Sequence, residues 1–168
     1  MSEEEISQRE KRLTMSVLMT PDKANFSGNV HGGEMLKMLD EVAYACASRY
    51  CGNYVVTLSV DQVVFKQPVR IGELVTFLAT VNFTGRTSLE VGVKVVAENI
   101  RKRSCRHTNS CYFTMVAIDD NGKPVPVAPL VLDSPEDRRR HAGAKRRREF
   151  RREIQQRNEQ IREGRDGC

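Results

Sequence analysis

The spacing of apolar residues changes period once along this chain. Between residues 34 and 48, Met35, Leu36, Leu39, Val42, Ala43, Cys46 and Ala47 recur in steps of three and four, while Glu34, Lys37, Glu41, Tyr44 and Ser48 fall between them. At about 100° per residue the first set gathers on one arc, which predicts an amphipathic helix over 33–50. Glycine and proline are absent from Glu34 to Cys51, where Met, Leu, Ala and Glu dominate, as a helix interior requires.

Beyond the turn Cys51-Gly52-Asn53 the apolar period falls to two. Tyr54–Lys66, Glu73–Thr84, Ser88–Ile100 and Arg106–Ile118 are rich in β-branched residues, and such runs predict strands. In the third of them Leu89, Val91, Val93 and Val95 alternate with Glu90, Gly92 and Lys94. Ile71-Gly72, Gly85-Arg86, Arg101–Ser104 and Asp120–Gly122 supply the turns. Leu13–Met19 alternates more loosely and reads as a first strand or an extended arm. One long helix followed by four antiparallel strands predicts an α+β fold in which a curved sheet wraps a central helix. A charged segment (1–12) precedes this body (13–133), and a basic helical tail (134–168) follows it.

Asp40 does not obey the division of the helix. It shares an edge of the apolar arc with Leu36, Ala43 and Ala47, where a lone carboxylate is costly to bury. It is either a solvated margin residue or an acid held in a cleft for chemistry. The loop before the helix offers what such an acid needs. Gly28, Gly32 and Gly33 permit close backbone approach, and the first helix amides lack intrahelical partners, which makes them an oxyanion site. An acid two turns into a helix and an amide cradle at its start can flank one carbonyl carbon, an arrangement suited to acyl transfer to water. His31 reads better as a cap on the helix entry than as a base. Ser27 lies in no nucleophile elbow.

Composition narrows the alternatives. The 168 residues are 39% hydrophobic, enough for one domain with a core. The N-terminal stretch MSEEEISQREKR has no apolar run, so no signal peptide is expected, and no apolar stretch is long enough to span a bilayer. Cys46, Cys51, Cys105, Cys111 and Cys168 form no CxxC pair, so neither a disulfide framework nor a zinc site is expected, and a reducing cytoplasm is the expected location. Residues 134–168 hold 12 Lys or Arg against 7 Asp or Glu, and the rest of the chain holds 15 of each. The whole net charge of +5 therefore sits in the tail, and the body carries no bias toward nucleic acid. In the tail Ser134 is placed to cap a helix opened by Pro135, and the sequence beyond is polar nearly all round.

The strings ANFSGNVHGGEMLKMLDEVAYACASRY, VVTLSVDQVVF, PVRIGE, TGRTS and RHTNSCYFTMVAIDDNGKPVPV resemble the hotdog-fold acyl-CoA thioesterases, in particular the cytosolic acyl-CoA hydrolases and their bacterial relatives. The resemblance covers about residues 13–148. It implies a sheet wrapped round the 33–50 helix, subunits paired into dimers, and three dimers in a hexamer. Active sites would lie at the dimer interface, with Asn25 from one subunit and Asp40 from the other. The reaction implied is hydrolysis of fatty acyl-CoA, of medium to long chain, to fatty acid and coenzyme A. Asp40 would act as general base or as nucleophile through an anhydride, and the amides of Gly32 and Gly33 would hold the oxyanion. His31, Arg86, Thr87, Ser88 and Arg106 are the expected contacts for substrate and coenzyme A. Coenzyme A enters as part of the substrate, and no separate cofactor or metal is implied. The alternative is a non-catalytic acyl-CoA-binding sensor that uses its basic tail on nucleic acid; the body has no DNA-binding motif to support it.

Overall fold

The apolar arc folds as a helix over Gly32–Cys51 (α1) in the computed structural model, which describes residues 9–163. His31 caps its start through the side chain, and Gly52, with φ of 72°, ends it in the left-handed conformation by donating its amide to the Ser48 carbonyl. A side chain at Gly52 would meet backbone strain there. Arg9 adds a second closure: its Nη1 donates to the Tyr50 and Cys51 carbonyls at 2.7 and 3.1 Å, placing a cation at the negative end of the helix.

Five strands follow the period-two pattern: β1 (Arg12–Leu18), β2 (Tyr54–Val60), β3 (Leu74–Thr84), β4 (Ser88–Asn99) and β5 (Ser104–Ile118). They form one antiparallel sheet in the order β1-β3-β4-β5-β2. The register aligns Val17 with Val75, Val75 with Ala97, Phe77 with Val95 and Val93 with Cys111. Side chains at these positions share one face. That face and the helix arc make a single core in which Leu39, Val42, Ala43, Phe77, Val95 and Met115 are fully buried.

Two expectations need correction. The strand expected over Tyr54–Lys66 stops at Val60, with its register broken by a bulge between Thr57 and Ser59. Beyond it the Asp61 amide still donates to the Tyr112 carbonyl, and the chain then leaves the ladder toward Pro68. Leu36, expected within the buried arc, is 43% exposed, whereas Met38 and Tyr50 are buried. The buried arc centres on Leu39, Val42 and Cys46. Leu36, Asp40 and Tyr44, one turn apart, lie along its margin, on the side of β2, where the sheet ends.

The chain divides into two compact units at Val131/Leu132. The second unit is a helix over Pro135–Glu163 (α2). Ser134 and Asp137 exchange bonds at its start, Asp137 N to Ser134 Oγ at 3.1 Å and Ser134 N to Asp137 Oδ2 at 3.2 Å, a reciprocal capping box. From Arg152 to Glu163 every residue is exposed. Among the described residues no helix is long and apolar enough to cross a membrane.

Candidate active site

Asp40 sits where the helix margin meets the sheet edge, and it is half-buried. Its Oδ1 accepts a 2.6 Å hydrogen bond from Thr57 Oγ1, a short bond of the kind a charged acceptor makes. Thr57 is also 3.6 Å from Met115 Sδ, so its hydroxyl is positioned from two sides. The bond fixes one carboxylate oxygen and leaves Oδ2 for a further partner. Thr57 was not among the expected site residues. The available signal was phase alone: Thr57 shares the phase of the buried Val55 in β2 but is itself exposed, so burial did not mark it.

The loop before α1 is more tightly built than its glycines suggest. Asn25 N donates to the Asn29 carbonyl at 2.7 Å, and Gly28, at φ 79°, donates to the Asn25 carbonyl. His31 N and Val30 N reach the Lys23 and Val69 carbonyls. Asn25 Oδ1 accepts three bonds, from Ser27 N (2.9 Å), Ser27 Oγ (2.8 Å) and Asn29 N (3.1 Å), and Asn29 Nδ2 in turn donates to Ser27 Oγ (3.1 Å). Backbone amides can only donate, so the orientation of the Asn25 side chain is fixed with its oxygen inward and its NH2 outward. Asn25 in this loop is therefore a donor. Its bonds are confined to its own loop, and the structure does not join it to Asp40 within the subunit.

His31 Nδ1 accepts from Gly33 N at 2.9 Å, which makes it the helix cap. The Gly33 amide is thus engaged, and a Cβ on Gly33 would lie only 3.0 Å from that imidazole. Of the two amides expected to hold an oxyanion, that of Gly33 is taken up by the His31 cap, which leaves the Gly32 amide as the candidate. Phe65, just past β2, closes on this point; a Cβ at Gly32 would lie 3.9 Å from its ring.

The basic candidates separate. Arg86, Thr87 and Ser88 form the β3–β4 turn, which is anchored by Ala117 N to the Thr87 carbonyl and Val127 N to the Arg86 carbonyl. Ser88 pairs with Val116 and Val116 with Val56, so the turn lies about 10 Å across two strand spacings from β2 near Thr57. Arg86 is exposed. Arg106 is different. It lies nine residues along β5 from Met115, about 30 Å of strand, and it grips Glu73 through Nη1 and Nη2, both at 2.7 Å, and the Pro68 carbonyl through Nη2. The nearly buried Glu73 carboxylate is held below its ordinary range chiefly by these bonds. Arg106 fastens the 67–73 loop to β5 through these bonds, and this pairing is a structural role beside the contact with coenzyme A expected of it.

Cys46 and Cys111 are pushed up to about 12 and Cys51 to about 11 by burial, so these thiols are packing residues rather than nucleophiles.

Comparison with known proteins agrees with this geometry. Residues 27–104 match the model of the thioesterase superfamily. Protein VdlD of Helicobacter pylori is 52% identical over 140 residues, covering 83% of this chain and 80% of its own. The cytosolic acyl coenzyme A thioester hydrolase of Rattus norvegicus is 36% identical over 77% of this chain, which spans 35% of that longer protein. The uncharacterized acyl-CoA thioester hydrolase YkhA of Bacillus subtilis is 31% identical, with 77% of this chain and 75% of its own covered. Among solved structures, a hexameric acyl-CoA thioesterase superposes with a TM-score of 0.83 at 34% identity, over 86% of this chain and 93% of its own. The acyl-CoA hydrolase of Staphylococcus aureus, in complex with butyryl coenzyme A and coenzyme A, superposes with 0.83 at 27% identity, over 92% and 94%. The helix and the sheet that wraps it are those of a hotdog-fold thioesterase. The chain belongs to the thioesterase superfamily. The S. aureus hydrolase has also been solved with an asparagine, an aspartate and a threonine each replaced by alanine, and these lie 15 and 17 residues apart, the spacing of Asn25, Asp40 and Thr57 in this chain.

Proposed function

We propose that this chain hydrolyses fatty acyl-CoA thioesters of medium to long chain, with Asp40 as the base. The observation that carries the reading is the Asp40 carboxylate, clamped through one oxygen by Thr57 on a half-buried helix margin. Leu36 and Tyr44, one turn to either side and 43% and 37% exposed, offer an apolar path for an acyl chain. Asp40 takes a proton from water, the hydroxide attacks the thioester carbonyl, the C–S bond breaks, and coenzyme A leaves as thiolate and receives the proton. The outward NH2 of Asn25 and the Gly32 amide at the positive helix end donate to the carbonyl oxygen as it gains charge. Direct attack by Asp40 through an anhydride uses the same side chain. A single turnover in H2 18O bears on the choice: label in Asp40 requires an anhydride opened by water at the Asp40 carboxyl carbon, whereas the base route places the label in the fatty acid alone.

The site is completed by a second copy. Asn25 and Asp40 each keep to their own bonds in one subunit, and the margin holding Asp40 opens at the β2 edge. That edge carries Tyr54, Val56, Leu58 and Val60, 62%, 45%, 68% and 43% exposed, and an open strand edge invites pairing. Pairing by β2 brings Asn25 of one subunit to Asp40 of the other, and the hexamers seen among relatives support three such dimers. Arg86, Thr87 and Ser88 meet the coenzyme. The free thiols of Cys46, Cys51, Cys105 and Cys111 fit a reducing, cytoplasmic setting.

The test is thiol release from a panel of acyl-CoAs, from acetyl to palmitoyl. We expect turnover that rises toward the longer members and disappears in Asp40→Ala. Binding without release across the whole panel would replace the enzyme by an acyl-CoA sensor.

A further inference from the structure

The second half of α2 carries a pattern that thioester hydrolysis does not use. Phe150, Ile154 and Ile161 are 59%, 58% and 57% exposed. Steps of four and seven residues put them within about 40° of one another around the helix. Residues 145–163 contain eight Lys or Arg and four Glu. Glu149, Glu159 and Glu163 lie about 120° or more from the centre of the apolar strip and Glu153 about 80° from it, while Arg157 lies about 20° from Phe150 and Arg146 lies beside it. Arg157, Arg146 and Arg162 are exposed.

We propose that this face of α2, centred on Phe150, Ile154 and Ile161, docks on an anionic lipid surface. Three candidate partners compete for such a face, and the position of charge decides between them. A second copy of the helix would bury Arg157 in the seam against another basic helix, which costs an unpaired charge. A nucleic acid satisfies the arginines and leaves two isoleucines and a phenylalanine without a partner. A layer of acidic headgroups over hydrocarbon satisfies both: the apolar side chains enter the acyl boundary, Arg157 and its neighbours meet phosphate, and the glutamates stay in water. The helix is too polar to span, so it lies in the surface. The acyl-CoA substrates proposed for this chain are amphiphiles whose acyl chains partition into the same layer.

The test is co-sedimentation of the full chain with phosphatidylcholine vesicles and with vesicles that also contain phosphatidylglycerol, beside an RNA oligonucleotide shift. We expect sedimentation with the phosphatidylglycerol vesicles only, weakened by salt. Phe150→Gln, Ile154→Gln and Ile161→Gln together should lower it by about tenfold or more, and Arg146→Gln, Arg157→Gln and Arg162→Gln by a similar factor. Both variants should keep the wild-type rate on dispersed acyl-CoA and the wild-type helix content by circular dichroism, which excludes misfolding. No sedimentation, equal sedimentation with both vesicles, or sedimentation indifferent to the glutamine substitutions overturns the proposal. A shift of RNA without vesicle binding assigns the face to nucleic acid instead. A lower particle mass for the apolar variant assigns it to self-association.

Discussion

At the scale of single residues the proposed chemistry rests on two donors that orient two side chains. Thr57 aligns Asp40, and Ser27 aligns Asn25. Loss of one hydrogen bond to a charged group is worth about 1.5–3 kcal/mol, so Thr57→Ala should lower kcat about 10- to 100-fold while Thr57→Ser retains most of it. An unchanged kcat in Thr57→Ala would remove the clamp from the mechanism. Ser27→Ala removes one of three bonds to Asn25 Oδ1 and leaves the backbone pair, so a smaller fall in kcat, about threefold to tenfold, is expected without loss of folding. Asp40 was legible in the sequence because a carboxylate on an apolar arc is out of place. Thr57 was less so, since a threonine is at home in any strand and only its phase set it apart. The pairing of Arg106 was not legible: its partner Glu73 lies 33 residues upstream, and nothing local distinguishes a paired arginine from one awaiting phosphate.

At the scale of elements, α1 and the sheet were readable because both faces of the core obey their periods. The limits of β2 were not, because Asp61–Lys66 keeps strand-like composition after the ladder has ended; the bulge at Leu58 and the departure toward Pro68 are set by tertiary pairing. The loop that follows, 67–73, is held to β5 by the Glu73–Arg106 pair. Glu73→Gln should cost about 2–3 kcal/mol, measured by urea denaturation near neutral pH. The sign with pH follows from the depressed carboxylate. The stabilisation is fully present above the ordinary glutamate value of 4.5 and is lost as pH falls through the lower value of the folded state. The gap between wild type and Glu73→Gln should therefore close in acid. A gap that stayed constant would mean the pair contributes packing alone. The capping box of α2 was legible from Ser134, Pro135 and the acids after it. The segregation of its later charges emerges only when a continuous helix places residues 145–163 on one wheel.

At the scale of the whole molecule the proposed chemistry requires two subunits per site. The apolar, unpaired β2 edge makes a direct prediction. Leu58→Glu places a charge on a side chain already 68% exposed in the subunit, so the fold should survive while the particle mass and the thioesterase rate fall together. A variant that kept its mass and lost activity would move the interface elsewhere. The second copy proposed for the site was invisible in periodicity and came from the resemblance; a half-buried carboxylate at the β2 edge of the sheet is what supports it in the subunit. The most direct measurement is complementation. Asn25→Ala and Asp40→Ala should each be inactive alone, and their co-expressed mixture is assayed for thiol release. If one subunit supplies Asn25 and the other Asp40, each mixed dimer holds one intact site, and random pairing restores about a quarter of wild-type activity. A mixture as inactive as its two components would contradict the shared site.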